Sequence, residues 1–241
     1  FIRSSWTIFM WNGVDEDAMI FKHVIFDFDG VIINSYALQK KAFKAAYRSL
    51  FPKGRPPYEE FFQHSGNSLE NIFQAIGLPQ SAVSIFRETS RANIQEICLF
   101  QPVIAIAAEV VRRGSTCSLC TGKDRRRTEE ILDHFGIRSL FNLVVCSDDI
   151  THPKPHPESI EVIREHFHAQ RNQIVMVGDS VNDILCAKKA GVFSIAVAWG
   201  DTNLQQLHVS SPDKVAIMYE DVSEFLFSKQ SPVKESPFTT A

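Results

Sequence analysis

The 241-residue chain has 44% hydrophobic and 22% charged residues and a formal net charge of −3, an ordinary make-up for a soluble globular protein with a sizeable core. No basic stripe marks a nucleic-acid or anionic-membrane partner, and no apolar run approaches the ~18 residues that cross a bilayer. Cysteines 98, 117, 120, 146 and 186 are odd in number and scattered, which argues against a disulfide framework and for a reducing, cytoplasmic setting.

Residues 1–18 hold a single basic residue, a short apolar stretch, and then Asp15, Glu16 and Asp17. They lack the longer apolar core and small-residue cleavage site of a signal peptide, and read as a loosely ordered extension ahead of Met19. The first strand is expected over 23–28, where Val24, Ile25 and Phe26 form an apolar run bounded by polar residues. Asp27 and Asp29 follow with only Phe28 between them, and Gly30 comes next. Two carboxylates at the end of an apolar strand are costly unless something compensates them. Side chains at i and i+2 of an extended chain share one side. The pair can therefore face one small site at the strand's C-terminal edge, where open parallel sheets bind ligands.

From Ser35 to Leu50 the residues Tyr36, Phe43, Tyr47 and Leu50 recur at helical spacing. Segments 58–64, 68–76 and 80–100 also read as helices, the second capped by Ser68 and ended by Gly77 and Pro79. This block contains no strand candidate. Beyond Pro102, helices at 103–113, 125–135, 157–168 and 182–190 alternate with strands at 116–120, 143–146, 174–177 and 193–198, before 214–218 and a short helix at 220–227. Strands alternating with helices of roughly ten residues mean an α/β fold with a parallel sheet. Its core would comprise residues 19–33 and 102–227, interrupted by a helical cap at 34–101. Two crossings, near Asn34–Ser35 and Phe100–Pro102, would act as a hinge. Residues 228–241 are Ser, Thr, Pro and Lys with little to bury, and read as a disordered tail.

Three further motifs fall just after strands. Thr121-Gly122-Lys123 offers a hydroxyl and backbone N–H groups to an anion. In 151–157 three alternating prolines stiffen the chain around Lys154. Gly178-Asp179-Ser180-Val181-Asn182-Asp183 follows the most apolar strand with acids at i and i+4. Each strand end thus contributes one part of a phosphate site: Asp27 with Asp29, Thr121, Lys154, and Asp179 with Asp183. Carboxylates, a lysine and a hydroxyl are what metal-assisted phosphoryl transfer requires, and hard oxygen donors suit Mg²⁺.

In order, these motifs resemble the D-x-D, S/T, K and G-D-x-x-x-D signatures of the haloacid dehalogenase-like hydrolases, over about residues 20–227. The resemblance implies a Rossmann-like core with an inserted helical cap, in the manner of phosphoglycolate-phosphatase and beta-phosphoglucomutase-like members. It makes Asp27 the nucleophile that forms an aspartyl-phosphate and Asp29 the general acid/base. Gly30, Thr121, Gly122 and Lys154 would bind phosphate. Asp27, Asp29 through its carbonyl, Asp179 and Asp183, directly or through water, would hold Mg²⁺. The substrate would be a small phosphorylated metabolite, with no nucleic-acid or membrane partner and no indicated oligomeric state. The chain departs from many family phosphatases at Gly122, where they carry Asn. A phosphomutase with the same core, and a binding module that kept the fold without activity, are the rival functions.

Other residues have plainer readings. Cys117 and Cys120 point to opposite faces of a strand and read as core rather than a redox or zinc pair. His152 and His156 read as solvated, and Arg125–Arg127 as a solvated helix face. In the cap, Phe61, Phe62 and Phe73 read as cap core, and His64, Asn67 and Ser68 as a loop reaching the substrate.

Overall fold

The computed structural model describes residues 19–200 and 204–228; the extension expected at 1–18 and the expected tail, Ser228 apart, lie outside them. Strand β1 (His23–Phe26) leads into β2 (Ile33–Asn34) and four helices: α1 (Tyr36–Leu50), α2 (Tyr58–Gln63), α3 (Leu69–Ala75) and α4 (Ser81–Ala92). Strand β3 (Cys98–Leu99) brings the chain back. The remaining elements are α5 (Gln101–Arg112), β4 (Thr116–Cys120), α6 (Arg125–Phe135), β5 (Leu143–Val145), α7 (Glu158–His166), β6 (Ile174–Gly178), α8 (Val181–Ala190), β7 (Phe193–Val197), α9 (Leu204–Val209), β8 (Lys214–Ala216) and α10 (Tyr219–Phe227). None of the described helices is long and apolar enough to cross a membrane.

Six strands form one parallel sheet in the order β5-β4-β1-β6-β7-β8. The expected α/β core with an inserted helical cap is what the chain builds. Strand β1 is central, with Phe26 level with Leu119 of β4 and Val177 of β6. Asp27, Thr121 and Asp179 therefore emerge together at one edge of the sheet, where the strand order reverses. Alternation sorts the strand residues onto two faces. Val24, Phe26, Cys117, Leu119, Val175 and Val177 pack with α5, α6 and α10. Ile25, Cys120, Ile174 and Met176 pack with α7 and α8. The two cysteines of β4 thus serve opposite cores, as the strand period requires.

The cap has its own core. Phe43, Phe61, Phe73 and Phe86 are buried together, with the Phe43 and Phe61 ring centroids 4.4 Å apart. Ser68 accepts a hydrogen bond from the Asn71 N–H and caps α3, as expected.

Several expectations need correcting. The helix expected over 80–100 stops at Ala92, and the chain from Ile97 continues extended, with Ile97 buried and Cys98 exposed. Cys98 and Leu99 instead pair antiparallel with Asn34 and Ile33, so a two-stranded ribbon joins cap to core. The strand expected over 23–28 ends at Phe26, and the chain turns so that the Ile32 and Ile33 N–H groups both bond to the Phe28 carbonyl. Helix α9 had no signal strong enough to place it.

The cap core gives a first test. Phe43 is fully buried and its ring meets Tyr58, Phe61 and Phe73. Phe43→Ala should remove about 3–5 kcal/mol of stability in urea unfolding, and a loss below ~1 kcal/mol would show that the cap does not fold around these rings.

Candidate active site

The site is built around Lys154. Its side chain is 1% exposed, and Nζ lies 2.6 Å from Asp27 Oδ1, 2.6 Å from Asp183 Oδ1 and 3.0 Å from the Cys120 carbonyl. An ammonium group has three donors, and here each has an acceptor. Helix α8 presents Asp183 through a capping box. Ser180 Oγ accepts from the Asp183 N–H, and Asp183 Oδ2 accepts from the Ser180 N–H at 3.0 Å. Lys154 does not line the cavity beside Asp27, because its protons are committed behind it. The expected offsetting of charge around Asp27 matches this contact geometry.

Asp27, Asp179 and Asp183 form a buried trio whose oxygens lie within 4.8 Å of one another. Burial pushes the Asp27 carboxyl well above its ordinary range, Lys154 opposes that, and Asp183 and Asp29 add to it. Burial also works against the charge on Lys154, but Asp183 and Asp27 outweigh it and raise its pKa well above normal. Clustered hard oxygen donors of this kind fit a divalent cation such as Mg²⁺. Two glycines leave room for the third acid: a Cβ on Gly30 would lie 2.1 Å from the Asp179 carboxylate, and one on Gly200 2.3 Å. The Gly30 N–H is given to the Ile33 carbonyl at 2.8 Å.

Asp29 sits at the cavity edge with its own partners. Oδ1 accepts from the Ser35 hydroxyl and, at 3.4 Å, from Gln39 Nε2. Oδ2 lies 3.1 Å from the Lys123 ammonium, which is 6% exposed. Burial lowers the Lys123 pKa although Asp29 acts against that. Thr121 is buried and accepts from the Lys123 N–H at 3.1 Å, closing a tight loop after β4.

A cavity of about 50 Å³ lies between these strand ends and the cap. Asp27, Asp29, Thr121, Gly122, Lys123 and Asp179 form its floor, and Phe61, Leu69, Ile72 and Phe86 its apolar roof. The cap loop rests on the core. Asn182 Nδ2 donates to the Ser65 carbonyl at 2.7 Å, and a Cβ on Gly122 would stand 2.2 Å from the Asn67 carbonyl. The departure at Gly122 is thus a place where loop and core touch backbone to backbone. Of the expected cap-loop residues, Asn67 lines the cavity, whereas Ser68 caps α3 and His64 is not part of the lining.

The reading of Arg125–Arg127 as a solvated face is corrected for Arg127. It is 5% exposed, lines the cavity, and gives Nε to Asp124 at 2.7 Å. Asp124 caps α6 and also takes Nε of Arg87 from the cap at 2.9 Å. Burial raises the Asp124 carboxyl, but Arg127 and Arg87 outweigh it and hold it at about 2. Lys123 belongs to the expected anion-binding motif, but the parts played by Asp124 and Arg127 are not legible in the sequence because a charged run at a helix start looks solvated. The usable signal was an N-cap Asp immediately after a strand-end motif. His152 and His156 are exposed, as expected.

The matching family model is that of the haloacid dehalogenase-like hydrolases, over residues 24–197. Among curated proteins, the chain is 30% identical over 213 residues to "Probable phosphatase IndB" of Dickeya dadantii, covering 83% of this chain and 90% of that protein. It is 26% identical to Pyrophosphatase PpaX of Oceanobacillus iheyensis, covering 86% and 96%. The crystal structure of a predicted phosphoglycolate phosphatase from Haemophilus somnus superimposes with a TM-score of 0.74 at 23% identity, covering 84% of this chain and 96% of that one. At that identity the likeness shows the fold.

Two tests follow from this geometry. Gly122→Ala puts a methyl group into the Asn67 carbonyl. Overpacking of ~1–3 kcal/mol against the cap loop should raise KM roughly 5- to 150-fold and raise hydrogen exchange in the cap loop at 64–68; unchanged exchange there would refute the contact. The second concerns acid. The Asp124 carboxyl sits near 2, below its ordinary 3.8, so its support for the cap–core link is complete above pH 3.8 and is lost as pH falls toward 2. Peptic cleavage of the cap should accelerate through that window in the native protein, while Asp124→Asn should show no such step.

Proposed function

The chain belongs to the haloacid dehalogenase-like hydrolases, and from that premise we propose a Mg²⁺-dependent phosphatase that hydrolyses a small phosphomonoester through a phosphorylated Asp27. The observation that carries this reading is the Lys154 clamp: a buried ammonium 2.6 Å from each of two carboxylates, one of which also lines the cavity. The names of the relatives, a phosphatase and a pyrophosphatase, support hydrolysis of a phosphate ester or anhydride.

In this proposal Asp27 attacks phosphorus while the bond to the leaving oxygen breaks, and Asp29 gives that oxygen its proton. Water then attacks the aspartyl-phosphate, Asp29 takes the water proton, and phosphate leaves with Asp27 restored. Splitting the displacement in two lowers each barrier. Ser35, Gln39 and Lys123 hold Asp29 at the cavity edge for both transfers. Thr121 presents a hydroxyl in the floor, and the Gly122 backbone lies beside it. Asp27 and Asp179, with the Asp29 carbonyl and Asp183, would hold Mg²⁺, which when bound supplies charge neutralisation between carboxylate and phosphate. Lys154 supplies part of the same screening from behind Asp27.

Phosphate release from small phosphomonoesters should vanish with EDTA and return with Mg²⁺. Asp27→Asn should abolish turnover and leave no trappable phosphoenzyme, whereas Asp29→Asn should slow turnover ~10²–10⁴-fold. Full activity after thorough demetallation would sink the metal assignment, and label trapped on Asp29 with Asp27 unmodified would reverse the two roles.

A further inference from the structure

We propose that Arg127 reads an anionic group on the leaving portion of the substrate, so that this chain selects small phosphate esters or anhydrides bearing a second anionic oxygen group over those with a neutral one. The inference rests on the phosphatase reading and assigns the substrate class of that site.

The argument begins with the cavity walls. The roof is apolar, so the cap offers no charge to the part of the substrate beyond the phosphate. On the core side, the Lys123 ammonium is already paired with Asp29 at 3.1 Å. Gln39 Nε2 is directed to Ser35 at 2.8 Å and to Asp29 at 3.4 Å. Asn67 Oδ1 accepts from the Ser68 N–H at 2.8 Å and from Asn71 Nδ2 at 3.0 Å. Lys123 keeps two of its three donors but as a point charge beside Asp29, whereas Arg127 differs in offering a planar fork. A guanidinium has five N–H donors, and the single side-chain hydrogen bond of Arg127 among the described residues uses Nε, on Asp124. Its terminal nitrogens are uncommitted, on a side chain 6% exposed that lines the cavity. Arg127 packs 5.7 Å from the Phe86 ring centre. Asp124 keeps Arg87 as a second partner, so a ligand on the terminal nitrogens strands no charge.

A planar fork of donors matches a carboxylate or a phosphoryl group and takes either in bidentate fashion. The cavity is small, about 50 Å³, so this second group belongs to a short leaving portion. The placement is specific: selectivity sits on α6 of the core rather than in the cap loop. It also joins selection to closure, because Asp124 orients Arg127 and receives Arg87 from the cap.

The test compares three substrates: phosphoglycolate, whose leaving portion carries a carboxylate; inorganic pyrophosphate, whose leaving portion is phosphoryl; and ethyl phosphate, which is of similar size and neutral beyond the phosphate. Native protein should prefer at least one of the anionic pair over ethyl phosphate by tenfold or more in kcat/KM. Which of the two it prefers distinguishes a carboxylate from a phosphoryl ligand. Arg127→Met should lower that preference by roughly 10- to 150-fold, the range for a hydrogen bond to a charged group, mostly through KM. Arg127→Lys should restore part of it. Equal losses on all three substrates, or an unchanged preference in Arg127→Met, would overturn the proposal. If Arg127→Met does not fold, as judged by circular dichroism, Arg127→Lys and Arg127→Gln carry the comparison. If native protein hydrolyses none of the three, the phosphatase reading is what has failed. Calorimetric binding of phosphoglycolate, pyrophosphate and ethyl phosphate to native protein and the Arg127 variants then decides the role of Arg127, which is refuted if the native protein binds the anionic ligands no more tightly than ethyl phosphate.

Discussion

Lys154 gives its three ammonium protons to Asp27, Asp183 and the Cys120 carbonyl, groups that follow β1, lie in α8 and end β4. A charge buried this deeply is tolerated only when paired and hydrogen-bonded. Removing it would leave two carboxylates facing each other out of water. The strand ends must therefore arrive in register around it, and the parallel pairing of β1 with β4 and β6 is what brings them there. The rigid placement of Asp27 follows from this contact and from the sheet beneath it. Positioning of this kind is the larger part of what a phosphoryl-transfer site contributes.

The cap is held by weaker forces. Arg87 to Asp124 at 2.9 Å and Arg91 to Glu130 at 2.9 Å join cap to core, but Arg91, Arg87 and Glu130 are each about a third exposed. Pairs of that kind are worth ~0.2–1 kcal/mol each. One amide-to-carbonyl bond and the backbone approach at Gly122 add to them. Each of these contacts is individually weak beside the buried charge cluster of the floor. The floor is thus fixed by buried charge, and the roof by half-exposed pairs.

Much of the site was legible in the linear pattern. Asp27 and Asp29 interrupt an apolar strand, Asp179 follows another, and Lys154 sits among prolines. In each case a charged residue stands where burial would be costly without a reason, and that anomaly survives in one dimension. The α/β alternation was equally visible, because helix and strand periods are local properties. The β2–β3 ribbon was not, since two residues on each strand are too few to show a period and their pairing joins positions 33–34 to 98–99.

The sequence by itself determined which residues carry unusual chemistry and the order of the elements that bear them. Tertiary structure alone decided which of those residues reach the cavity. It turned Lys154 away from the cavity, gave the N–H of Gly30 to Ile33, and buried Arg127 beside Phe86 while Arg126 on the same helix stayed in water. The physical reason is that burial and partner choice depend on contacts between segments far apart in the chain. A run of three arginines carries no mark of which one will meet a cap helix some forty residues earlier until folding has brought that helix onto it.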